Sequence, residues 1–344
     1  MSKRSIGVLV TAVLVALPSF VRADDPLDLG KVGPPTSLLA PEALLSVGAK
    51  TCLLEGPAFD AQGDLFFSDV YNSKIYRLTP TGVVSVFRDQ SGRTNGNTFD
   101  ARGRLLSCEG TEQGTDGRRR VVRTEIETGR VEVLTDRFEG QRYNSPNDIC
   151  VDPKGRIWFT DPYYGDERSM LELNAEAVYR IDLDGTVTRV VSQPEIERPN
   201  GLAITPDGKT LYVVDSHSRP GGNRKIWAFD LSENGTPSGR RQVFDFGKGR
   251  GGDGVRLDER GNLWVAAGIM FPRNPGENKD VPPGVYVVTP KGDLLGRIPI
   301  PEDLRTNLAF GGADRKTLVV TAGKSIYKIP LTVSGYNLYP PTVK

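Results

Sequence analysis

The stretch Ser145-Pro-Asn-Asp-Ile-Cys-Val-Asp-Pro-Lys-Gly-Arg-Ile-Trp-Phe-Thr-Asp161 carries the pattern that decides the fold. A polar residue, Asn147, precedes a short apolar run, which is followed by a turn from Asp152 to Gly155 and by a second apolar run. Asp and Gly favour tight turns, because Asp bonds to its own backbone and Gly tolerates a positive φ. β-branched and aromatic residues on both sides of the turn predict two antiparallel strands.

The same unit recurs along the chain in six copies. After each strand pair come two more strand-like runs, such as IYRL and VVSVF in the first copy. Four antiparallel strands in each unit of about 40 to 50 residues form the blade of a β-propeller. The sequence therefore predicts an all-β fold, a six-bladed β-propeller. The turns and following strands are Asp60–Gly63 with LFFSD, Asp100–Gly103 with LLSCE, Asp152–Gly155 with IWFTD, Pro206–Gly208 with LYVVD, Asp258–Gly261 with LWVAA, and Asp314–Arg315 with LVVTA.

The domain boundaries follow from this repeat. We place the propeller at residues 51–332 and a C-terminal tail at residues 333–344. The sixth unit lacks a convincing fourth strand. An N-terminal extension at residues 24–50 contains ALLSVGAK (residues 43–50), which is expected to supply that strand. Such a strand would close the ring and cover an exposed sheet edge.

The N-terminus has the pattern of a secretory signal peptide over residues 1–23. Lys3 and Arg4 precede an apolar run that ends at small residues around Ala23. Removal of this segment changes 44 Lys and Arg against 43 Asp and Glu to 41 against 43. This balance does not favour nucleic acid as a partner. We expect a periplasmic or secreted protein with no membrane anchor after cleavage, and a monomer.

Cysteines are too few to define a disulfide framework. The chain has three, Cys52, Cys108 and Cys150. Because the number is odd they cannot all be paired, and one disulfide or none is compatible with the sequence.

One polar residue stands at the start of the first strand of every unit. In a propeller this strand lines the central channel, so the six residues are expected to converge near one mouth. Two carboxylates and four amides suit Ca²⁺, which takes oxygen ligands, and Mg²⁺, Mn²⁺ or Zn²⁺ can also occupy oxygen-rich sites. Asn-Gly and Asp-Gly pairs are also common in turns, but six polar residues in register favour a site. The residues of this channel column are Glu55, Asn95, Asn147, Asn200, Asp253 and Asn307.

The segments EGPAFD, SPNDICVD, RPNGLAITPDG and GGDGVRLD resemble the gluconolactonase, senescence marker protein and luciferin-regenerating enzyme family. The resemblance covers roughly residues 50–330 and implies a six-bladed propeller with a divalent metal, commonly calcium, that hydrolyses lactones. It implies Glu55, Asn147, Asn200 and Asp253 as metal ligands and Asn95 as a residue that lines the pocket. Asp253 is the candidate general base, with a metal-bound hydroxide as the open alternative.

Other polar residues are expected to surround this centre. Asn307 and His217 are predicted to line the substrate pocket. Asp148 is a candidate charged partner beneath the metal. The animal branch of the family has an Arg where this chain has Ser145, and Arg142 and Arg123 are candidates to replace it. The carboxylates that end the second strands are expected to act as structural caps: Asp69, Glu109, Asp161 and Asp215.

The favoured function is a metal-dependent, calcium-dependent lactonase that opens a gluconolactone-like sugar lactone by attack of water at the carbonyl. One alternative is an esterase or phosphotriesterase at the same metal site. The phosphotriesterase ranks lower because the branch that hydrolyses organophosphates carries a His near the metal in its last blade, whereas the only His of this chain is His217. A different alternative is a non-catalytic propeller that binds a ligand or a protein.

Overall fold

The structure is a computed structural model that describes residues 42–46, 53–111, 117–169 and 171–340. Within these ranges every regular element is a strand, and no helix is long and apolar enough to cross a membrane. The predicted signal peptide lies outside the described residues.

Six four-stranded antiparallel sheets form the blades. Blade 1 contains β2 (Leu54–Phe59), β3 (Leu65–Asp69), β4 (Lys74–Leu78) and β5 (Val84–Arg88). Blade 2 contains β6 (Thr94–Phe99), β7 (Leu105–Glu109), β8 (Arg120–Thr124) and β9 (Val131–Thr135), and a small hairpin follows with β10 (Arg137–Phe138) and β11 (Gln141–Arg142). Blade 3 contains β12 (Ile149–Val151), β13 (Ile157–Asp161), β14 (Ala177–Ile181) and β15 (Val187–Ser192).

The remaining three blades follow the same order from the axis outward. Blade 4 contains β16 (Pro199–Ile204), β17 (Thr210–Ser216), β18 (Arg224–Leu231) and β19 (Pro237–Asp245). Blade 5 contains β20 (Gly252–Leu257), β21 (Leu263–Ala267), β22 (Gly284–Val288) and β23 (Leu294–Pro299). Blade 6 contains β24 (Arg305–Gly311), β25 (Thr317–Ala322), β26 (Ser325–Pro330) and, as its outer strand, β1 (Glu42–Ser46).

The ring closes through its first and last strands. The first strands of the six blades contact one another in ring order, including β24 with β2. β1 pairs antiparallel with β26, with Glu42 opposite Lys328 and Ser46 opposite Ser325. The outer strand of blade 6 therefore comes from the N-terminal side of the chain, and it lies near the start of the stretch 43–50. The predicted six-bladed β-propeller is confirmed.

Each pair of neighbouring blades encloses its own apolar cluster, which explains the continuous apolar runs in the sequence. In β13, Ile157 and Phe159 pack against blade 2, whereas Trp158 packs against blade 4. Successive side chains of a strand point to opposite faces. Because both faces of a blade are buried, both sets of residues must be apolar, and the run does not alternate with polar residues.

The tight turns lie on the face of the ring away from the channel column. In blade 3, Asp152 Oδ1 accepts bonds from the amides of Lys154 at 2.9 Å and Arg156 at 3.0 Å, and its Oδ2 accepts the indole N–H of Trp158 at 3.0 Å. Asp60, Asp100 and Asp258 accept amide bonds at equivalent positions. The predicted turn role of these Asp residues is confirmed.

The C-terminal tail crosses the turn face and covers that mouth of the channel. The amide of Tyr336 donates to Leu257 O at 2.8 Å, and Asn337 Nδ2 donates to Phe310 O at 2.8 Å. Residues 336–339 and the first strands of blades 2 to 5 line a small cavity of about 80 Å³. The tail thus closes one end of the channel, a role that the sequence did not predict.

Candidate functional site

All six residues of the channel column lie at the mouth opposite the tail. Five of them stand on the first strands β2, β6, β16, β20 and β24, and Asn147 stands two residues ahead of β12. Their exposed fractions lie between 2% and 6%. Asn307 donates a side-chain hydrogen bond to Glu55, and Asn200 donates one to Asp253. The column is a group of buried polar residues that contains these two hydrogen-bonded pairs.

Glycines next to the column allow the first strands to approach each other closely. A Cβ on Gly56 would lie 2.3 Å from Asn95 O, and a Cβ on Gly254 would lie 2.2 Å from the side chain of Asn307. Gly96 is in equally tight contact with Asn147, the column residue of the following blade. These Asn-Gly and Asp-Gly pairs lie in strands and not in turns, so the glycines serve to bring the column residues together.

The two carboxylates of the column, Glu55 and Asp253, repel each other. Burial raises the pKa of Glu55 well above its ordinary value, and the nearby negative charges of Asp253 and Asp148 add to this effect. Burial also raises the pKa of Asp253, to about 6, although Arg250 and Asn200 oppose the shift. Buried like charges require a compensating positive charge or a proton, and a cation bound at this mouth would supply such a charge.

The donor chemistry of the column also fits a hard cation. Asn95 Oδ1 is buried and has no hydrogen-bond partner among the described residues. Two carboxylates and several amide oxygens form an oxygen-rich set of the kind that Ca²⁺ takes. In the described part of the chain, no group of three or more His, Cys, Asp or Glu is arranged to hold a metal. A cation here would therefore depend on amide oxygens as well as on the acids.

Asp148 lies below the column and is fully buried. Its Oδ2 pairs with Arg256 Nη1 at 3.1 Å, and its Oδ1 accepts the amide of Ile149 at 3.0 Å. Its charge raises the pKa of both Glu55 and Asp253. Asp148 thus lies close to the two acids of the column and has its own counter-ion on β20, and its role beneath a metal stays a prediction.

The sequence analysis did not select Arg250, Glu277 or Tyr164. Arg250 Nη2 lies 3.2 Å from Asp253 Oδ2, and its Nη1 lies 3.3 Å from Glu277 Oε1. Tyr164 Oη contacts Asn200 Nδ2. Tyr164 and Glu277 come from long loops that have no equivalent position in the repeat, and Arg250 stands in the short connection between β19 and β20, at a position that holds unlike residues in the other units. The short spacing from Arg250 to Asp253 was the one available signal.

His217 lies in the loop after β17 and is buried at 5% exposure. Burial, together with the positive charge of Arg198 and of other nearby arginines, lowers its pKa to about 3. Arg198 in turn stacks on the ring of Tyr164, which contacts Asn200. His217 is therefore a neutral group at neutral pH, and no Ser-His-Asp catalytic arrangement follows from its position.

The carboxylates at the ends of the second strands are structural, as predicted. Asp161 accepts the amides of Asn144 at 2.8 Å and Ser145 at 2.7 Å, which fixes the entry to β12. Asp215 accepts the amide of Arg198 at 2.8 Å ahead of β16. Asp69 accepts the amide of Asn72, and Glu109 pairs with Arg88 of blade 1 and with Arg120. They shape the loops around the site.

The two arginines considered as replacements at the Ser145 position do not serve that purpose. Arg123 pairs with Glu132 at 2.8 Å on the outer strands of blade 2, far from the axis. Arg142 donates to Arg118 O at 2.8 Å. The guanidinium that reaches the column belongs to Arg250 of blade 5.

Residues 53–324 match the family described as the SMP-30/Gluconolactonase/LRE-like region. The chain belongs to this family. Similar SMP-30/gluconolactonase relatives include a gluconolactonase of Zymomonas mobilis, 31% identical over 296 residues that cover 80% of this chain and 77% of the relative. A pentonolactonase of Haloferax volcanii is 28% identical over 269 residues, which cover 78% and 80% of the two chains. The predicted resemblance is confirmed.

A solved structure supports the same assignment within the SMP-30/gluconolactonase family. The gluconolactonase of Xanthomonas campestris is 31% identical to this chain and superposes with a TM-score of 0.68. The match covers 87% of this chain and 98% of that one. The likeness therefore includes nearly the whole of that propeller.

Proposed function

We propose that the chain is a hydrolase of small lactones, with a gluconolactone-like sugar lactone as its substrate class. The observation that carries this proposal is the pair of buried, mutually repelling carboxylates, Glu55 and Asp253, that converge with amide side chains at one channel mouth. The Zymomonas mobilis and Xanthomonas campestris relatives are gluconolactonases and the Haloferax volcanii relative is a pentonolactonase. Together they support lactone opening over other ester chemistries.

We propose Ca²⁺ as the cofactor of this site. Glu55, Asn147, Asn200 and Asp253 would hold it, and the unpartnered Oδ1 of Asn95 supports the same location. When bound, a divalent cation supplies Lewis-acid polarisation of a carbonyl oxygen. Mg²⁺, Mn²⁺ and Zn²⁺ stay as alternatives, since each can use oxygen ligands.

Asp253 is the proposed general base. Its carboxylate lies buried at the channel mouth, 3.2 Å from Arg250 Nη2, and a positioned carboxylate can accept a proton from water. A water molecule would transfer a proton to Asp253 as its oxygen attacks the carbonyl carbon. The ring C–O bond then breaks, the leaving ring oxygen takes the proton from Asp253, and the product is a hydroxy acid with the Asp253 carboxylate restored. Asn200 donates to Asp253 and helps to hold the carboxylate in place.

The direct test is hydrolysis of a substrate panel in a pH-stat by the mature chain. The panel contains aldonolactones, an aryl ester and a phosphotriester, and the wild-type chain is compared with Glu55→Gln, which keeps the size of the side chain and removes its charge. We expect turnover of an aldonolactone by the wild type and a large loss in the variant. Preference for the aryl ester or phosphotriester would replace this proposal with the corresponding hydrolase. No turnover by folded chain would favour a binding propeller.

Export and a monomeric state are further proposals. The signal pattern at residues 1–23 supports a periplasmic or secreted protein. Expression of the full chain, followed by fractionation and mass measurement, tests it. A mature form that starts at Asp24 outside the cytoplasm is expected, and uncleaved chain in the cytoplasm would contradict it. Light scattering of the same sample measures the mass in solution.

A further inference from the structure

The positively charged side chain of Arg250 reaches the channel column, where a bound metal cation is proposed. This is an unusual place for a cationic side chain. Its guanidinium lies between two carboxylates, 3.2 Å from Asp253 Oδ2 and 3.3 Å from Glu277 Oε1. The two nitrogens Nη2 and Nη1 each serve one partner. A planar guanidinium with both ends engaged has a fixed orientation.

Glu277 is itself firmly held by the loop between β21 and β22. Its Oε2 accepts the amides of Arg273 at 2.9 Å and Asn274 at 3.1 Å, while Oε1 faces Arg250. The side chain is buried. Arg250 and these backbone amides lower the pKa of Glu277, against the effect of burial, so Glu277 is charged at neutral pH. The loop therefore offers a fixed negative charge to Arg250.

We propose that Arg250 and Glu277 form a positioning pair for Asp253, in which Arg250 fixes the carboxylate and Glu277 cancels the charge of Arg250. This inference rests on the proposed cation site and lactone chemistry. Without Glu277, the positive charge of Arg250 would repel a cation held by Asp253. Without Arg250, Asp253 would lose the partner of its Oδ2. Through Glu277, the loop of residues 268–283 thus contributes a charge to the site.

The charges predict a distinctive pattern among three variants. Glu277→Gln leaves Arg250 uncompensated, so Ca²⁺ affinity and kcat/KM are both expected to fall, by about 10- to 100-fold, the usual cost of losing a partner of a metal ligand. Arg250→Met keeps the length of the side chain and is expected to lower kcat with little loss of Ca²⁺ affinity. The double variant removes both charges, so it is expected to recover Ca²⁺ affinity toward the wild-type value without recovering kcat.

The test combines calorimetric titration of the chelated proteins with CaCl₂ and steady-state lactone hydrolysis. Arg273→Met is the matched control, because it keeps the backbone amide that bonds Glu277 and removes only a side chain that pairs with Asp303 at 3.3 Å. Thermal melting confirms that each variant is folded. If the pair had only a structural role, stability would fall in all three variants and Ca²⁺ affinity would not recover in the double variant.

The outcomes distinguish failure of the positioning pair from failure of the proposed function. Recovery of affinity in the double variant supports the pair. Unchanged Ca²⁺ affinity in Glu277→Gln, or additive losses in the double variant, overturns it. A wild-type chain that binds Ca²⁺ but opens no lactone contradicts the proposed function alone, and the affinities still test the pair. A wild-type chain that neither binds Ca²⁺ nor opens a lactone overturns both.

Discussion

The two mouths of the propeller channel are built from the same repeat but have opposite character. At one mouth, the six column residues bring two carboxylates and four amides together. At the other, tight turns use their Asp side chains to bond their own backbone, and residues 336–339 cover the opening. Polar groups that fold back on the chain stabilise it. Polar groups that converge without sufficient partners create a binding site.

Cavity size does not identify the site in this molecule. A cavity of about 480 Å³ lies on the turn face between blades 1 and 6. Among its charged lining residues, Asp60 accepts the amides of Gln62 and Asp64, and Arg315 donates to Pro340 O. The column is distinguished instead by carboxylates with raised pKa values and by an unpartnered amide oxygen.

The sharpest comparison exchanges one Asp for Asn at each mouth of the same blade. Asp253→Asn removes the proposed base and is expected to lower kcat/KM by about 10²–10⁴-fold. Asp258→Asn, five residues along the chain, replaces one of two carboxylate oxygens that both accept hydrogen bonds, including the one from the Trp264 indole N–H. It is expected to lower the free energy of unfolding by about 1–3 kcal/mol and to leave kcat unchanged. Lactone hydrolysis and urea unfolding measure the two effects, and equal loss of activity in both variants would contradict the distinction.

Displacement of the tail tests the covered mouth. A Cβ on Gly335 would lie 1.8 Å from the ring of Phe310, so Gly335→Val is expected to force the tail away. The expected cost is about 1–3 kcal/mol of unfolding free energy, as for other overpacked positions. In a Cys52→Ser background, a thiol reagent should then label Cys150, which lines the cavity beneath the tail, while Cys108 stays buried.

Activity of the tail variant sharpens the comparison further. We expect its kcat to stay within about twofold of wild type, because the far face holds no reacting group. A loss of activity as large as that of Asp253→Asn would show that the far mouth takes part in the chemistry.

The buried His217 is expected to make the stability of the fold depend on pH. Its pKa of about 3 in the folded chain lies below the unfolded value of 6.5. The unfolded state therefore binds more protons between these values, so His217 stabilises the fold above pH 6.5 and this contribution is lost as the pH falls. At pH 5 the loss is expected to reach up to about 2 kcal/mol.

Urea unfolding of the wild type and His217→Gln from pH 8 to pH 4 measures this contribution. The difference in unfolding free energy between the two chains is expected to change in favour of the variant as the pH falls. A difference that is independent of pH would place an ordinary, solvated imidazole at this position.

The smallest expected effect concerns Arg123. Its pair with Glu132 lies on the outer strands and is partly exposed. Arg123→Met is expected to change the unfolding free energy by less than about 1 kcal/mol, as for other surface pairs, and to leave KM for the lactone unchanged. A large rise in KM would instead indicate that Arg123 contacts the substrate.

The sequence predicted the features that repeat and missed those that occur once. The turns, the number of blades and the column were predictable because six copies report the same position. Asn147 and Asp253 were selected in this way. Glu277 and Tyr164 stand on loops of different length, where side-chain positions depend on contacts between blades, and the position of Arg250 holds unlike residues in the other units. The cover over the far mouth also depends on a single tail, whose sequence resembled only a poor strand.

The proposed metal centre in the channel column is tested most directly by lactone hydrolysis after removal and return of the cation. The mature chain is treated with chelator, dialysed and assayed in a pH-stat, and CaCl₂ is then titrated back with Asp253→Asn measured in parallel. We expect wild-type turnover to disappear with chelator and to return with Ca²⁺ in proportion to calorimetric binding, and we expect turnover by the variant to stay low. Full turnover by wild-type chain that binds no cation would contradict the assignment of the channel column as a metal centre.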